Sequence, residues 1–160
     1  MQIRRAVATD ENAIRELAQA FEVFGPYVEV FHRMLHGEDL TNHNVRFPVE
    51  IYVQEGDDGG VLGFIAVEWV EPGDTKTCEI HGISVRSGAR RGGVASTLLD
   101  YVVGHGIKRG AHRLRAITAE VDNPPALRFL EARGFANQGF AGFYPRGQRA
   151  VRVILNLANP

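Results

Sequence analysis

The sequence predicts an α/β protein in which helices flank one mixed β-sheet, with elements in the order β-α-α-β-β-β-α-β-α-β-β. Three observations carry this prediction. Apolar residues recur with helical period near the N-terminus and give way to strand-like runs in the middle of the chain. Turn-rich segments, Gly56-Asp57-Asp58-Gly59-Gly60 and Pro72-Gly73-Asp74, divide that middle stretch into three strands. Residues 77–121 then read strand–loop–helix–strand, a unit that requires a right-handed crossover and therefore a parallel pair inside the sheet.

Taken in order, Gln2–Ala6 is a short alternating strand. Thr9-Asp10-Glu11 offers an N-cap with acids in the first turn, and Ile14, Leu17, Ala18 and Phe21 follow at helical spacing, so a helix is expected from about 10 to 21. Gly25-Pro26 breaks it, and a second helix is expected from about 27 to 37, ending at Gly37. Residues 38–48 read as a polar loop closed by Pro48. The three strands are Val49–Gln54, Val61–Val70 and Thr77–Val85. Arg86–Gly93 is a Gly/Arg loop, and Val94–Lys108 carries Val94, Leu98, Leu99 and Val102 at helical spacing, with Gly110 as its C-cap. Arg113–Val121 is a strand. Pro124–Arg133 is a short helix, with Pro125 near its first turn and Gly134 after its end. Gln138–Tyr144 and Arg149–Leu157 form a last hairpin, whose Val151, Val153, Leu155 and Leu157 alternate as a buried face.

The 160 residues make one domain, 1–160, of ordinary globular composition, 44% hydrophobic and 23% charged. A single cysteine excludes a disulfide framework and a cysteine-rich zinc site. No apolar run is long enough to span a membrane, and no signal peptide is evident, so a soluble, cytoplasmic protein is expected. The net charge of −1 hides an asymmetry, because residues 1–80 sum to −9 and residues 81–160 to +8. The basic half suits an anion. Its arginines scatter over loops and helices without interleaved aromatics, which argues against nucleic acid.

The segment Ile83-Ser84-Val85-Arg86-Ser87-Gly88-Ala89-Arg90-Arg91-Gly92-Gly93-Val94-Ala95-Ser96 leaves a strand and enters a helix. Gly92, Gly93 and Ala95 strip side chains from the turn, and bare N–H groups at a helix N-terminus attract an anion such as a pyrophosphate. GxGxxG and the Walker pattern are both absent. What stands there is Arg90-x-x-Gly93-x-Ala95, followed downstream by Asn123-Pro124-Pro125-Ala126-Leu127-Arg128-Phe129-Leu130-Glu131-Ala132-Arg133-Gly134-Phe135. With this pair of motifs and the order of elements, the chain resembles the GNAT superfamily of N-acetyltransferases over about residues 2–157. The resemblance implies the GNAT fold, acetyl-CoA as donor, a small-molecule or peptide amine as acceptor, and direct transfer with no covalent enzyme intermediate. It implies that the amides from Arg91 to Ser96 (Gly92, Gly93, Val94 and Ala95 between them), with Arg90 at the rim, hold the pyrophosphate. It implies too that Ile83, Ser84 and Val85 lie along the pantetheine arm, and that Asn123 lies beside it unless it serves only as a helix cap.

Acetyl transfer needs the amine's proton removed, the acyl oxygen's developing charge stabilised, and the departing thiolate protonated. Glu79 and His81, two apart on one strand and so on one face, are the candidate bases, with Glu68 on the neighbouring strand behind them. The Val85 N–H is the candidate for the oxyanion. The family's usual tyrosine, four residues before Gly134, is Leu130 here, so the acid falls to Tyr144 or to water. That departure keeps open a second reading, a catalytically silent acyl-CoA-binding regulatory module. His32-x-x-x-His36, with His43 beyond, has metal-ligand types, but Arg33 occupies the place of a zinc-peptidase glutamate and no metal is expected. Cys78 is expected buried opposite Glu79. Glu22, Glu29, Glu38 and Asp39 lean toward a cationic acceptor, and an exposed last hairpin toward a homodimer.

Overall fold

The computed structural model describes residues 2–24, 27–38, 49–70, 76–121 and 124–157, without the side chains of 22–24, 27 and 124. Seven strands form one sheet in the order β1-β2-β3-β4-β5-β7-β6. They are β1 (Gln2–Arg5), β2 (Val49–Glu55), β3 (Val61–Val70), β4 (Thr77–Val85), β5 (Arg113–Ala119), β6 (Ala136–Phe143) and β7 (Arg149–Asn156). The helices are α1 (Glu11–Ala18), α2 (Tyr27–Leu35), α3 (Val94–Lys108) and α4 (Pro124–Ala132). The expected breaks at Gly25-Pro26, most of the 38–48 loop and the 72–74 turn lie outside the described residues.

All neighbours in the sheet run antiparallel except β4 and β5, which pair in parallel as the crossover through α3 requires. The C-terminal strand β7 inserts between β5 and β6, so β6 is an edge. Its pairing with β7 breaks register twice, beside Gly139 and Gly142, which take φ of 90° and 106°.

Each face of the sheet has its own core. On one face Ile65, Val67, Cys78, Ile80, Leu114 and Val153 meet α3 and α4, with Leu98, Leu99 and Val102 buried at helical spacing. On the other, Ile51, Val53, Phe64 and Ala66 meet Ile14 and Ala18 of α1 and Val30, Phe31 and Met34 of α2. Gly82 lies under α2, where an added Cβ would stand 2.6 Å from Phe31 Cζ and 3.1 Å from Phe21 Cζ. Phe31 is itself fully buried and packs on both Phe21 and Phe64, with ring centroids 5.1 and 5.3 Å apart.

The first helix departs from the sequence reading in a telling way. A 3-10 turn, Ala8–Asp10, precedes α1, and a second, Gln19–Phe24, continues from its end. Asp10 makes no side-chain cap on α1. Its buried carboxylate accepts instead from the Val7 amide at 2.8 Å and from the Arg4 guanidinium at 2.8 and 3.0 Å. The Arg4 pair outcompetes the cap because two charge-assisted bonds are stronger than one bond to a helical amide. Arg4 also donates to Glu55 at 2.8 Å, so one cation ties β1, β2 and the start of α1 together.

The Arg4 hydrogen bonds hold the Asp10 carboxyl below the usual carboxylate range. Its contribution to stability is therefore full above the unfolded carboxylate pKa, near ~3.9, and fades as pH falls through the lower folded value. Asp10→Asn is expected to lower unfolding free energy at neutral pH by about 1.5–3 kcal/mol. The difference from the parent should vanish at strongly acidic pH, read as denaturant midpoints across a pH series. Gly82→Ala is expected to cost about 1–3 kcal/mol by overpacking against Phe31. Shortening that ring, as Phe31→Leu in the same chain, should make the Gly82→Ala cost smaller than in the parent, measured in a double-mutant cycle.

Candidate active site

The site begins with a fault in β4. Across from β3, Val67 pairs with Ile80 and Ala66 with Gly82, leaving His81 without an opposite residue. This extra residue is a β-bulge, and it reverses which backbone groups face which neighbour. Beyond it, the Arg86 amide donates to Leu62 on the β3 side at 2.7 Å. By strand alternation Ser84 also faces β3, while Ile83 and Val85 turn their N–H and C=O groups to the opposite edge.

That edge is open. Pairing of β4 with β5 runs only from Thr77↔Arg113 to Ile80↔Ala116 and stops at the bulge. Among the described residues, no strand pairs with that edge of residues 81–85. An extended ligand arm would add to it as a strand does. The Val85 carbonyl there accepts from Arg90 Nε at 3.3 Å, and the Val85 amide faces the same edge, where no strand among the described residues pairs with it. Ser84 is directed elsewhere, its hydroxyl donating to Leu17 O at the end of α1 at 2.8 Å.

The loop that follows makes a 3-10 turn, Ser87–Ala89, and then enters α3 through left-handed backbone at Arg91 (φ 64°) and Gly93 (φ 80°). A Cβ on Gly93 would meet nothing within 4 Å, so its glycine is required by backbone conformation and not by crowding. The first helical amide bond is Thr97 N–H to Gly93 O at 2.9 Å. Helix geometry thus leaves the amides of Val94, Ala95 and Ser96 without intrahelical acceptors. Arg90, Arg91, Gly92 and Gly93 are all exposed around them. These amides and the exposed loop form a cradle at the start of α3, and the open edge leads from it to the bulge.

At the bulge, Glu68, Glu79 and Arg115 stand in register across β3, β4 and β5, on the face that α1 and α2 cover further along. His81 joins them. Its Nε2 lies 2.8 Å from Glu68 Oε1, and Glu79 is paired with the Arg115 guanidinium. Glu68 and Glu79 are buried, while the His81 side chain keeps 19% exposure. Burial pushes the Glu79 carboxyl above its ordinary range, and Arg115 offsets only part of that rise. Both predicted bases therefore share one cluster, but with different partners. Glu79 is committed to an arginine, whereas His81 is oriented by a carboxylate and reaches solvent. Arg115 was not foreseen, and only its register opposite Glu79 reveals it.

Other expected residues lie as follows. The Tyr144 hydroxyl donates to Ile117 O at 3.1 Å, on β5 one residue past the last one paired with β4. Leu130 is buried in the core between α4 and the sheet. Cys78 is fully buried, and burial pushes its thiol pKa up. Asn123, Asp39 and His43 lie outside the described residues, as does the Glu22 side chain. Glu29 and Glu38, which suggested a cationic acceptor, each face an arginine, Arg15 at 3.5 Å and Arg33 at 2.8 Å.

Solved structures share this architecture. Ard1 from Thermoplasma volcanium superposes with a TM-score of 0.77 at 20% identity, over 99% of this chain and 98% of that one. The ribosomal-protein-alanine N-acetyltransferase from Brucella melitensis gives 0.73 at 22% identity, over 98% and 100%. The NatC complex bound to Gag peptide and CoA contains a chain matching with 0.74 at 19% identity, over 99% and 100%. No curated protein matches the sequence. Residues 12–135 match the family model described as the acetyltransferase (GNAT) family, which covers the bulge, the open edge and the cradle together; the chain belongs to the GNAT acetyltransferases.

Proposed function

We propose that this acyltransferase moves an acetyl group from acetyl-CoA directly onto a primary amine, of a peptide or a small molecule, at the bulge of β4. The observation that carries the reading is the continuity of three features: the amide cradle at the start of α3, the free backbone edge of Ile83 and Val85, and the Glu68–His81 pair at its far end. The cradle would hold the pyrophosphate, with Arg91 and the amides of Gly92 to Ser96 around it. When bound, acetyl-CoA supplies an activated thioester. The Val85 amide donates to the acyl oxygen as charge builds on it.

His81 takes the amine's proton, with Glu68 fixing the ring. The C–N bond forms as the C–S bond breaks. The departing thiolate takes a proton from water, which its intrinsic pKa of ~8.5 permits, or from Tyr144 at the β5 edge. Glu79, held by Arg115, keeps a second negative charge near the amine as its proton leaves. Glu29 and Glu38 are each matched by an arginine, and the reading stays with primary amines as a class.

The test is thiol release from acetyl-CoA across polyamines, aminoglycosides, amino acids and peptide N-termini, with CoA binding followed by thermal shift. Release with one class names the acceptor. Glu79→Gln with His81→Gln is then expected to lower kcat by about 10²–10⁴-fold while CoA binding stays within a few-fold of the parent. CoA binding with no release from any amine would favour the silent regulatory module that Leu130 suggests. No CoA binding at all would overturn the donor assignment.

A further inference from the structure

His32 sits on α2, and His36 follows one turn later, just past its end, with the rings 4.7 Å apart. Facing both is Glu11, the first residue of α1. Its Oε1 lies 3.2 Å from His32 Nδ1, and its Oε2 lies 3.2 Å from His36 Nε2. One ligand-type atom from each residue falls within 4.8 Å of the others. A tetrahedral zinc ion with bonds of about 2.0–2.1 Å spaces its ligand atoms roughly 3.3 Å apart. Each imidazole nitrogen meets that spacing with a different oxygen of Glu11.

A pair of ordinary hydrogen bonds accounts for only half of the arrangement. His36 makes one with Glu11. His32 does not: its Nδ1 is closed off from water and has no hydrogen-bond partner, although a carboxylate oxygen stands 3.2 Å away. The in-plane direction of that nitrogen misses the Glu11 oxygen, so the contact is not a hydrogen bond and the nitrogen is left without a partner. The geometry points to a divalent transition-metal site made by Glu11, His32 and His36, of the zinc class that imidazole and carboxylate favour together, with solvent as fourth ligand. Glu11 and His36 keep about a third of their side-chain surface exposed, 35% and 37%, which gives the ion its path in.

The neighbouring arginines are compatible with a cation. Arg15 lies 3.7 Å from Glu11, but it also faces Glu29 at 3.5 Å and keeps that partner when a metal takes the first. Arg33 is turned to Glu38. Among the described residues the metal-ligand group holds no second carboxylate to activate the fourth ligand, so the site is proposed as a clamp. Its ligands come from α1 and α2, and His32 adjoins Phe31, which rests on Gly82 beside His81. A bound ion would therefore lock the seat of α2 over the bulge.

The test uses the full chain, untagged and stripped with a chelator that is then removed. It is titrated with Co(II) as the optical probe and then with Zn(II) in competition. The expected result is one equivalent of Co(II) with a tetrahedral absorption band, displaced by Zn(II), and a rise in Tm with Zn(II). Glu11→Gln and His36→Gln, both at positions that keep about a third of their side-chain surface in solvent, should fold as the parent does and bind at least tenfold more weakly, with the Tm rise lost. Equal binding by the parent and both variants, or no uptake at micromolar Zn(II) and neutral pH, would overturn the proposal. Neither readout depends on turnover, so the outcome is separate from that of the acetyl-transfer assay.

Discussion

The functional half of this fold depends on a ladder that stops. Parallel pairing between β4 and β5 lasts four residues and ends where His81 inserts one residue too many against β3. Had the ladder continued, the edge of Ile83 and Val85 would be spent inside the sheet, and nothing would connect the start of α3 with the polar cluster. The extra residue also reverses the alternation of backbone groups, so that the edge turned outward is the one continuous with the cradle. One local irregularity thus exposes a binding edge and brings a histidine beside a buried carboxylate.

Such an irregularity survives only if its surroundings hold it. Gly82 accepts the Phe31 ring where any side chain would collide, and Phe21 and Phe64 enclose that ring. The aromatic seat of α2 therefore presses directly on the residue after the bulge. On the other face, Cys78 and Ile80 pack against the α3 and α4 core and hold the paired half of β4 flat. The strand is gripped on both faces up to the point where it must diverge.

Much of this was legible in the sequence because it is written locally. The helix over 94–108 follows from its apolar spacing and flanking glycines, and it is found with those bounds. The parallel crossover follows from strand, loop, helix and strand in succession, and the cradle from Gly92, Gly93 and Ala95 at that junction. The parts that were missed are relations between distant segments. A bulge is a mismatch of register with another strand, and nothing within Thr77–Val85 announces it. Arg115 belongs with Glu79 only through strand pairing across 36 positions. Asp10, read as one of the acids of the first turn, is held by Arg4 of the preceding strand, a pairing that helix periodicity does not reveal. Glu29 and Glu38, two of the acids that hinted at a cationic acceptor, likewise have arginine partners that composition does not reveal.

The place of β7 has a consequence for how the chain is made. The seventh strand to leave the ribosome, Arg149–Asn156, lies between two earlier ones, bridging β5 and β6. Until residue 156 emerges, β5 carries a bare edge and β6 has no sheet to join, so the β1–β4 portion with α1 and α2 must wait for its other half. The nascent protein passes through a stage with unpaired β5 exposed to other chains, the state in which β-rich intermediates aggregate and chaperones act. The step that closes the sheet is therefore also the one that removes the hazard.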